Sequence, residues 1–367
     1  MTPSSVFQPL NNVPLTAQSG SGFVAKATAT FTGGDALIGV SASAWSAKPG
    51  PIGMSIWFDG QPTGAQLGTY ASSGAMHLAL GHAWVWCRGV SPGQHTIMLE
   101  AGPTTVTDQN DFACVTVIEP NDGLAIRLAQ DAPCPSGVGK PLLTARAETG
   151  EGGLLISGSS SGWVTQAATT TVSSSLVYDG GDSAPMEVFA NNANQHLAVV
   201  PTDYIQDNDP NSRGNHEFQV VGGASTQTDQ DDFAHLAVVE WVNYDQAPSY
   251  LSQIQNQPAA AQHGDGGTIA TVPLPTKGGP LLVKVGVSCW SQSANVPLSV
   301  GIQIDGTSHG FAQIFANPSG THMATVTNDL VVTGVPAGSH NLTLIGESNT
   351  ITDQNDRVSV IAFEFPS

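Results

Sequence analysis

One eight-residue phrase occurs three times in this sequence, as TVTDQNDF at 105–112, TQTDQDDF at 226–233 and TITDQNDR at 350–357. An apolar run follows each phrase closely: CVTVIE, LAVVEW and VSVIAFEF. Short runs that are rich in Val and Ile predict buried strands. Further landmarks return at nearly constant distances from each phrase, so the repeated unit is a whole domain and the chain contains three of them.

The landmarks of each unit come in a fixed order. A Gly-Gly pair is followed by a Trp, an Asp-Gly turn preceded by alternating apolar residues, a first His, a second His, the phrase and a closing Glu. The second His lies thirteen residues before the first Asp of the phrase in every copy, and the Glu lies eleven residues after it. The Trp residues are Trp45, Trp163 and Trp290, and the turn aspartates are Asp59, Asp179 and Asp305. The first histidines are His77, His196 and His322, and the second are His95, His216 and His340. The closing glutamates are Glu119, Glu240 and Glu364.

Composition and turn spacing indicate the fold class. The chain is 40% apolar and 11% charged, with 41 Gly and 24 Pro, which suits strands joined by turns and disfavours helices. Seven or eight short strands per unit predict an all-β protein of three tandem jelly-roll-like antiparallel β-sandwich domains. The expected boundaries are an N-terminal docking extension at 1–22, sandwiches at 23–120, 140–243 and 266–367, and linkers at 121–139 and 244–265.

Charge and targeting signals limit the partners. The net charge of −19 would repel nucleic acid, and no apolar run is long enough to predict membrane insertion. The N-terminus lacks the features of a secretion signal, which predicts synthesis in the cytoplasm. The four Cys residues do not recur at equivalent positions and form no CxxC motif, so we expect free thiols and no zinc site.

The repeated residues allow structural and functional interpretations. Oxygen ligands at alternating positions suit calcium, but Asp and Asn also cap turns through their own side chains. We expect the turn, with each first Asp accepting hydrogen bonds from its own turn, and we expect no cofactor unless calcium binds. The Trp is expected to anchor the core rather than to stack on sugar, and the second His to bond a neighbouring loop rather than a metal. The phrase residues concerned are Asp108, Asp111, Asp229, Asp232, Asp353 and Asp356.

An unrepeated loop in the second unit, DYIQDNDPNSRG at 203–214, is the sharper candidate site. It imitates the start of a calcium loop but has Ser212 where that loop needs Gly. The alternative is a solvated acidic loop. The candidate calcium ligands are Asp203, Asp207, Asp209 and Asn211, and the candidate glycan-binding residues are Tyr204, Asp207, Asp209 and Asn211.

No catalytic motif recurs beside the histidines, so we expect a protein that is not an enzyme. The segments SPGQHTIML, SRGNHEFQV and PAGSHNLTL, with the phrase and the closing strand, resemble the small jelly-roll domains of bacteriophage tail, fibre and other virion-associated proteins. Arg357 departs from the pattern. The resemblance implies a virion protein that contacts other virion proteins, assembles as a homotrimer and binds host glycans. The alternatives are a free multivalent lectin and a polysaccharide depolymerase.

Overall fold

A computed structural model describes residues 4–166, 170–181, 183–206, 213–243, 245–264 and 266–366. All regular elements in these ranges are β-strands. None of the described residues forms a helix that is long and apolar enough to cross a membrane. The four cysteines are free, and three of them are buried.

Among the described residues, each repeat contains eight longer strands and two or three two-residue strands. The first repeat has β1 (Ser5–Pro14), β2 (Gln18–Ser19), β3 (Gly22–Phe31), β4 (Gly34–Ala44), β5 (Gly50–Phe58), β6 (Gln61–Ala71), β7 (Leu78–Val90), β8 (Gly93–Ala101), β9 (Val106–Thr107) and β10 (Phe112–Glu119). The second has β11 (Leu124–Pro133), β12 (Gly137–Val138), β13 (Pro141–Thr149), β14 (Leu154–Gly162), β15 (Thr170–Tyr178), β16 (Ser183–Ala190), β17 (Leu197–Ala198), β18 (Thr202–Gln206), β19 (Gly214–Gly222), β20 (Gln227–Thr228) and β21 (Phe233–Trp241). The third has β22 (Ser249–Pro258), β23 (Gln262–His263), β24 (Gly267–Thr276), β25 (Leu281–Cys289), β26 (Val296–Ile304), β27 (Thr307–Ala316), β28 (Met323–Ala324), β29 (Asn328–Val332), β30 (Gly338–Gly346), β31 (Ile351–Thr352) and β32 (Arg357–Glu364).

The strand order is the same in all three repeats. In the first, the two sheets run β1-β10-β4-β7 and β3-β8-β5-β6. In the second they run β11-β21-β14-β17, with β18 also on β14, and β13-β19-β15-β16; in the third, β22-β32-β25-β28, with β29 on β25, and β24-β30-β26-β27. Two interleaved four-stranded antiparallel sheets form a jelly roll. The predicted fold class of three tandem jelly-roll-like sandwiches is therefore confirmed.

The two sheets of a repeat differ in how they are buried. Strand β8 alternates between buried and partly exposed residues, as expected when one face meets the core and the other meets water. Strand β4 is buried along almost its whole length, and β25 along all of it. A strand buried on both faces has a second packing partner. For the sheets that contain β4, β14 and β25, that partner is the other two repeats.

The three segments expected to be an extension or linkers begin the jelly rolls instead. They contain β1, β11 and β22, which pair with the final strand of their own repeat. In β11 the buried residues Leu124, Ile126 and Leu128 alternate with more exposed ones, which is the period of a half-buried strand. Flanking Pro, Asn and Gln residues made the composition of these segments look like that of linkers.

Each first strand also packs on the preceding repeat, and this closes the three repeats into a ring. The Gln8 side chain in β1 donates a hydrogen bond to Asn328 Oδ1 of the third repeat (2.8 Å) and accepts one from the Val331 N–H. In β11, Asp131 accepts a hydrogen bond from the Gln66 N–H of the first repeat. In β22, Gln253 donates to the Asp203 carbonyl of the second. The N-terminal strand therefore binds the third repeat of its own chain.

An apolar cluster fills the centre of the ring. It contains buried side chains from all three repeats, so it is a core between domains and not within one. Its members are Leu37, Trp84, Ile118, Leu124, Ile126, Ala237, Val239, Trp241, Ala247, Leu282, Ile361, Phe363 and Phe365.

Candidate functional site

The repeated phrase forms a capped turn. In the first repeat, Asp108 Oδ1 accepts a hydrogen bond from the Asn110 N–H (2.7 Å), and Asp111 Oδ2 accepts one from the Asp108 N–H (3.0 Å). The two carboxylates thus satisfy backbone donors of their own turn, as local Asp side chains commonly do. The same bonds occur at Asp229 and Asp232, and at Asp353 and Asp356.

The second Asp of each phrase also holds the first His of its repeat. The Nδ1 to Oδ1 distance is 2.8 Å for His77 and Asp111, 2.9 Å for His196 and Asp232, and 2.8 Å for His322 and Asp356. All of these aspartates are fully buried. Burial raises the pKa of Asp111 and of Asp356, although the hydrogen bond from the His acts in the opposite direction.

The sequence predicted that the recurring Trp anchors the core between the two sheets, but the Trp does not lie there. Trp45 is only partly buried, and its ring lies against His77 with centroids 5.8 Å apart. Trp163 and Trp290 lie against His196 and His322 at the same distance. Each Trp backbone bridges the short strand that begins the phrase. The Trp therefore fixes the His from one side.

An aromatic residue of the preceding repeat covers the His ring as well. The centroid of Phe315 in the third repeat lies 5.1 Å from that of His77 in the first. Tyr70 of the first repeat contacts His196 of the second at 5.0 Å, and Phe189 of the second contacts His322 of the third at 5.1 Å. These pairs follow one another around the ring. We call the three junctions seams and name each by the repeats it joins.

A polar residue two positions after that aromatic completes each seam. The backbone N–H of His77 donates to Asn317 Oδ1 (2.8 Å), and that of His322 donates to Asn191 Oδ1 (2.7 Å). In the remaining seam, the His196 N–H donates to Ser72 Oγ at 3.1 Å. A buried His thus receives a ring contact and a backbone hydrogen bond from its neighbour in all three seams.

Arg357 stands where the other two copies of the phrase have Phe, and the residue that faces it across the seam explains this difference. Phe233, at the equivalent position of the second repeat, lies so close to Gly68 of the first that a Cβ there would be 2.8 Å from its ring. In the next seam Glu187 replaces the glycine, and Arg357 Nε lies 2.7 Å from Glu187 Oε2. The two seams use a Gly and Phe pair and a Glu and Arg pair at the same place.

The second His of each repeat holds the Asp-Gly turn. His95 Nδ1 lies 2.5 Å from Asp59 Oδ2, and the corresponding distance is 2.6 Å for His216 and Asp179 and for His340 and Asp305. The turn aspartates have positive φ angles of 47° to 49°, which Asp tolerates better than most residues. The hydrogen bond to Asp59 raises the pKa of His95, which outweighs the lowering effect of its burial. These histidines thus bond a neighbouring turn.

The seam clusters have limited capacity for a metal ion. The ligand atoms of His77, Asp108 and Asp111 lie within 4.8 Å of one another, as do those of the other two clusters. His77 Nδ1 is already bonded to Asp111, which leaves Nε2 and an Asp108 oxygen 3.9 Å away as ligands. Calcium takes six to eight oxygen ligands. The geometry therefore favours the turn over calcium at the phrase.

Besides the seams, a polar cluster also joins the three repeats, and it lies beside the central apolar cluster. Each repeat contributes one cross-strand pair to it. Unlike the seam residues, these pairs differ from one repeat to the next, although the second and third repeats both contribute an Asp. We call the six residues the axial set: Gly39 and Trp84, Ser157 and Asp203, and Lys284 and Asp329.

The axial set also connects the repeats in a cycle. Trp84 Nε1 donates to Ser157 Oγ at 3.0 Å, and Lys284 Nζ donates to Asp203 Oδ1 at 3.0 Å. A Cβ on Gly39 would lie 2.7 Å from Asp329 Oδ2, so a larger residue there would displace that carboxylate. The charges are enclosed, since Lys284 and Asp203 expose 6% and 5% of their side chains.

Two histidines lie next to the axial set. His82 Nε2 is 2.6 Å from Asp329 Oδ2. Burial lowers the pKa of His82 despite the attraction of Asp329, and Lys284 lowers it further. For Asp329, burial alone would raise the pKa, but His82 and Lys284 together hold it below its usual value. Burial lowers the pKa of His235 to about 3.

The unrepeated acidic loop can be assessed only at its start. Asp207, Asp209 and Asn211 lie outside the described residues. Asp203, a candidate calcium ligand, faces inward and pairs with Lys284. Tyr204, a candidate for glycan binding, is partly buried, and its hydroxyl donates to Gln206 Oε1. Asp203 is therefore not presented to solvent as a binding loop would require, whereas Tyr204 is partly exposed.

Sequence reasoning missed the residues that act between repeats. Tyr70, Phe189 and Phe315 all stand seven residues before the first His, so a fixed spacing could have revealed them. The axial set had no such signal. Its members occupy equivalent positions but differ in size and charge, and a search for repeated residues passes over them.

Comparisons with known proteins give loose structural matches only. No family model matches the sequence, and no curated protein is similar to it. A chain from the triple jelly roll fold and turret assembly of an archaeal virus is 11% identical, with a TM-score of 0.23 over 97% of this chain and 91% of that one. The insecticidal delta-endotoxin Cry8Ea1 from Bacillus thuringiensis is 9% identical (TM-score 0.23; 87% of this chain, 53% of that one). The PBCV-1 virus capsid is 8% identical (TM-score 0.21; 67% and 94%). Overlaps this loose do not indicate a function.

Proposed function

We propose that the chain is a non-enzymatic structural protein of a virus particle, where it contributes one rigid three-domain block to a tail, a fibre or a capsid decoration. The observation that supports this is the closed ring of jelly rolls. Three equivalent seams bury the first His and the second phrase Asp of each repeat where it meets its neighbour, so this part of the repeated chemistry is used for assembly of the block.

The proposed partners are other virion proteins. A threefold arrangement of jelly rolls, which the resemblance to phage proteins implies for a homotrimer, is already present within one chain. A homotrimer of this chain stays a prediction, and light scattering that detects only a 37.7 kDa particle would contradict it. The N-terminal strand binds the third repeat, so we assign contact with the particle to outer loops instead.

Host glycan attachment is the finer part of the proposal. It rests on the divergence of the repeats, whose net charges are −3, −12 and −4 over residues 1–120, 121–245 and 246–367. A free lectin with three equal sites is the rival. The three equivalent clusters that the chain does contain have histidines with only 5%, 8% and 6% of the side chain exposed, which leaves little room for a sugar.

Particle fractionation tests the proposal. In a density gradient of particles from the virus that encodes this chain, its peptides should keep a constant ratio to the major capsid protein across the particle fractions. A chain that stays with unassembled protein would contradict the virion role. A glycan array probed with the purified chain then distinguishes a protein that attaches to host glycans from one with a structural role alone. Release of reducing ends from a bound polysaccharide would identify a depolymerase.

A further inference from the structure

Lys284 and Asp203 meet in the interior where the third repeat joins the second. The Lys284 Nζ lies 3.0 Å from Asp203 Oδ1, and both residues are 5% exposed. A charged pair removed from water loses hydration that its mutual attraction does not fully replace. Joining the amine to the carboxyl as an amide would remove both charges.

The groups around the amine are suited to that reaction. Asp329 is the cross-strand partner of Lys284, so the two side chains share a face of the sheet. Its Oδ2 is bonded to His82, whereas its Oδ1 is buried and has no hydrogen-bond partner among the described residues. A second carboxylate therefore shares this face, but among the described residues Lys284 forms its ion pair with Asp203 alone, so Asp203 is the carboxyl placed to react.

A hydroxyl and an aromatic ring complete the enclosure. Ser157 Oγ lies 2.7 Å from Lys284 Nζ and also accepts the Trp84 indole N–H. The Trp84 ring centroid is 5.9 Å from the same Nζ. An enclosed amine and carboxyl that are held in contact react far faster than free ones, because folding has already fixed their orientation and removed their translational freedom.

We propose that Lys284 and Asp203 condense after folding into an isopeptide bond between the third and second repeats. The Lys284 ammonium gives a proton to the Asp203 carboxylate across their 3.0 Å hydrogen bond, which gives a neutral amine and a neutral acid. The Nζ lone pair attacks Asp203 Cγ, and one N–H proton moves to the departing hydroxyl. The Nζ–Cγ bond forms, one Cγ–O bond breaks and one water leaves, so the pair loses no net charge and needs no oxidant.

Only one of the three axial contacts can react in this way. The other two join Trp84 to Ser157 and Asp329 to Gly39, and neither contains both an amine and a carboxyl. The bond would make the junction of the second and third repeats permanent. This inference does not depend on the proposed function.

The intact mass of the purified full chain tests the inference directly. We expect a mass one water below that of the sequence, and a tryptic peptide in which Lys284 is uncleaved and joined to the Asp203 segment. The Lys284→Met and Asp203→Ala variants should have their full sequence masses. An Asp203→Asn variant that reacts should lose one ammonia instead of water.

Two further variants separate the bond from other causes of mass loss. Asp329→Asn keeps the amine and the acid that react, so it should still lose one water. Lys277→Met, an exposed lysine outside the site, should still lose one water. A wild-type chain that keeps its full mass after prolonged incubation would overturn the inference, and so would a loss of water that persists in Lys284→Met.

Discussion

The seams and the axial set join the same three repeats by opposite means. Every seam has a buried His bonded to an Asp, a Trp on its own side and an aromatic from the neighbour. The axial positions hold six residues that include glycine, tryptophan and buried charges. Repetition therefore marks what each jelly roll needs to join any other, and divergence marks what fixes the order of the three.

The largest effect is expected at the axis. Lys284→Met leaves the Asp203 and Asp329 carboxylates buried without their cation, which should lower the free energy of unfolding by about 3 to 5 kcal/mol. Chemical denaturation measures it, with the exposed Lys277→Met as a control expected within about 0.5 kcal/mol of wild type. If both variants unfold at the same denaturant concentration, the contact between Lys284 and Asp203 does not hold the ring.

At the seams, the three effects should be smaller and equal. Replacing His77, His196 or His322 by Ala strands a buried Asp, at a cost of about 2 to 3 kcal/mol each. Similar contacts predict values that agree within about 0.5 kcal/mol. One seam whose loss exceeds the others by more than about 1 kcal/mol would show that the seams are not equivalent.

The same three variants can be used to test the calcium hypothesis. Because the phrase carboxylates are bonded to their own turns and to the His, added calcium or a chelator should leave the melting temperature of the wild type unchanged. A calcium-dependent rise that disappears in the His variants would show that the clusters hold the ion.

The seam position at which a Gly and Phe pair is replaced by a Glu and Arg pair can be exchanged. Glu187→Gly with Arg357→Phe recreates the Gly68 and Phe233 pair of the other seam. The double variant should be more stable than the sum of the two single losses predicts, with a coupling energy of about 0.5 to 1 kcal/mol. Additive losses in a denaturation cycle would mean that the two residues do not depend on each other.

The smallest effect concerns the second His and its turn. The raised pKa of His95 gives stability that is present below its ordinary value of 6.5 and is lost as the pH rises through the folded value. The lowered pKa of Asp59 gives stability that is present above 3.8 and is lost as the pH falls. The melting temperature should therefore fall slightly above pH 6.5 in the wild type and less in His95→Asn. Equal slopes in both proteins would remove this pair as the cause.

The sequence analysis identified the residues that recur in each repeat but missed those that join one repeat to another. The Trp, the His and the phrase were found because they keep their spacing, and the turn at Asp108 has the hydrogen bonds that its sequence suggests. The predicted position of Trp45 was wrong, because the recurrence of a residue cannot distinguish a core within a domain from a contact between domains. The axial set was invisible, since Gly39, Ser157 and Lys284 share only a place in three strands.

The closed ring is the central claim, and distances between equivalent points test it most directly. Pro92, Arg213 and Ala337 are exposed and each lies three residues before the second His. Spin labels on cysteines at two of these positions at a time, with Cys87 replaced by Ser, allow pulsed dipolar spectroscopy of each pair. A ring predicts three equal distances. A distance between the first and third repeats that is much longer than the other two would contradict it.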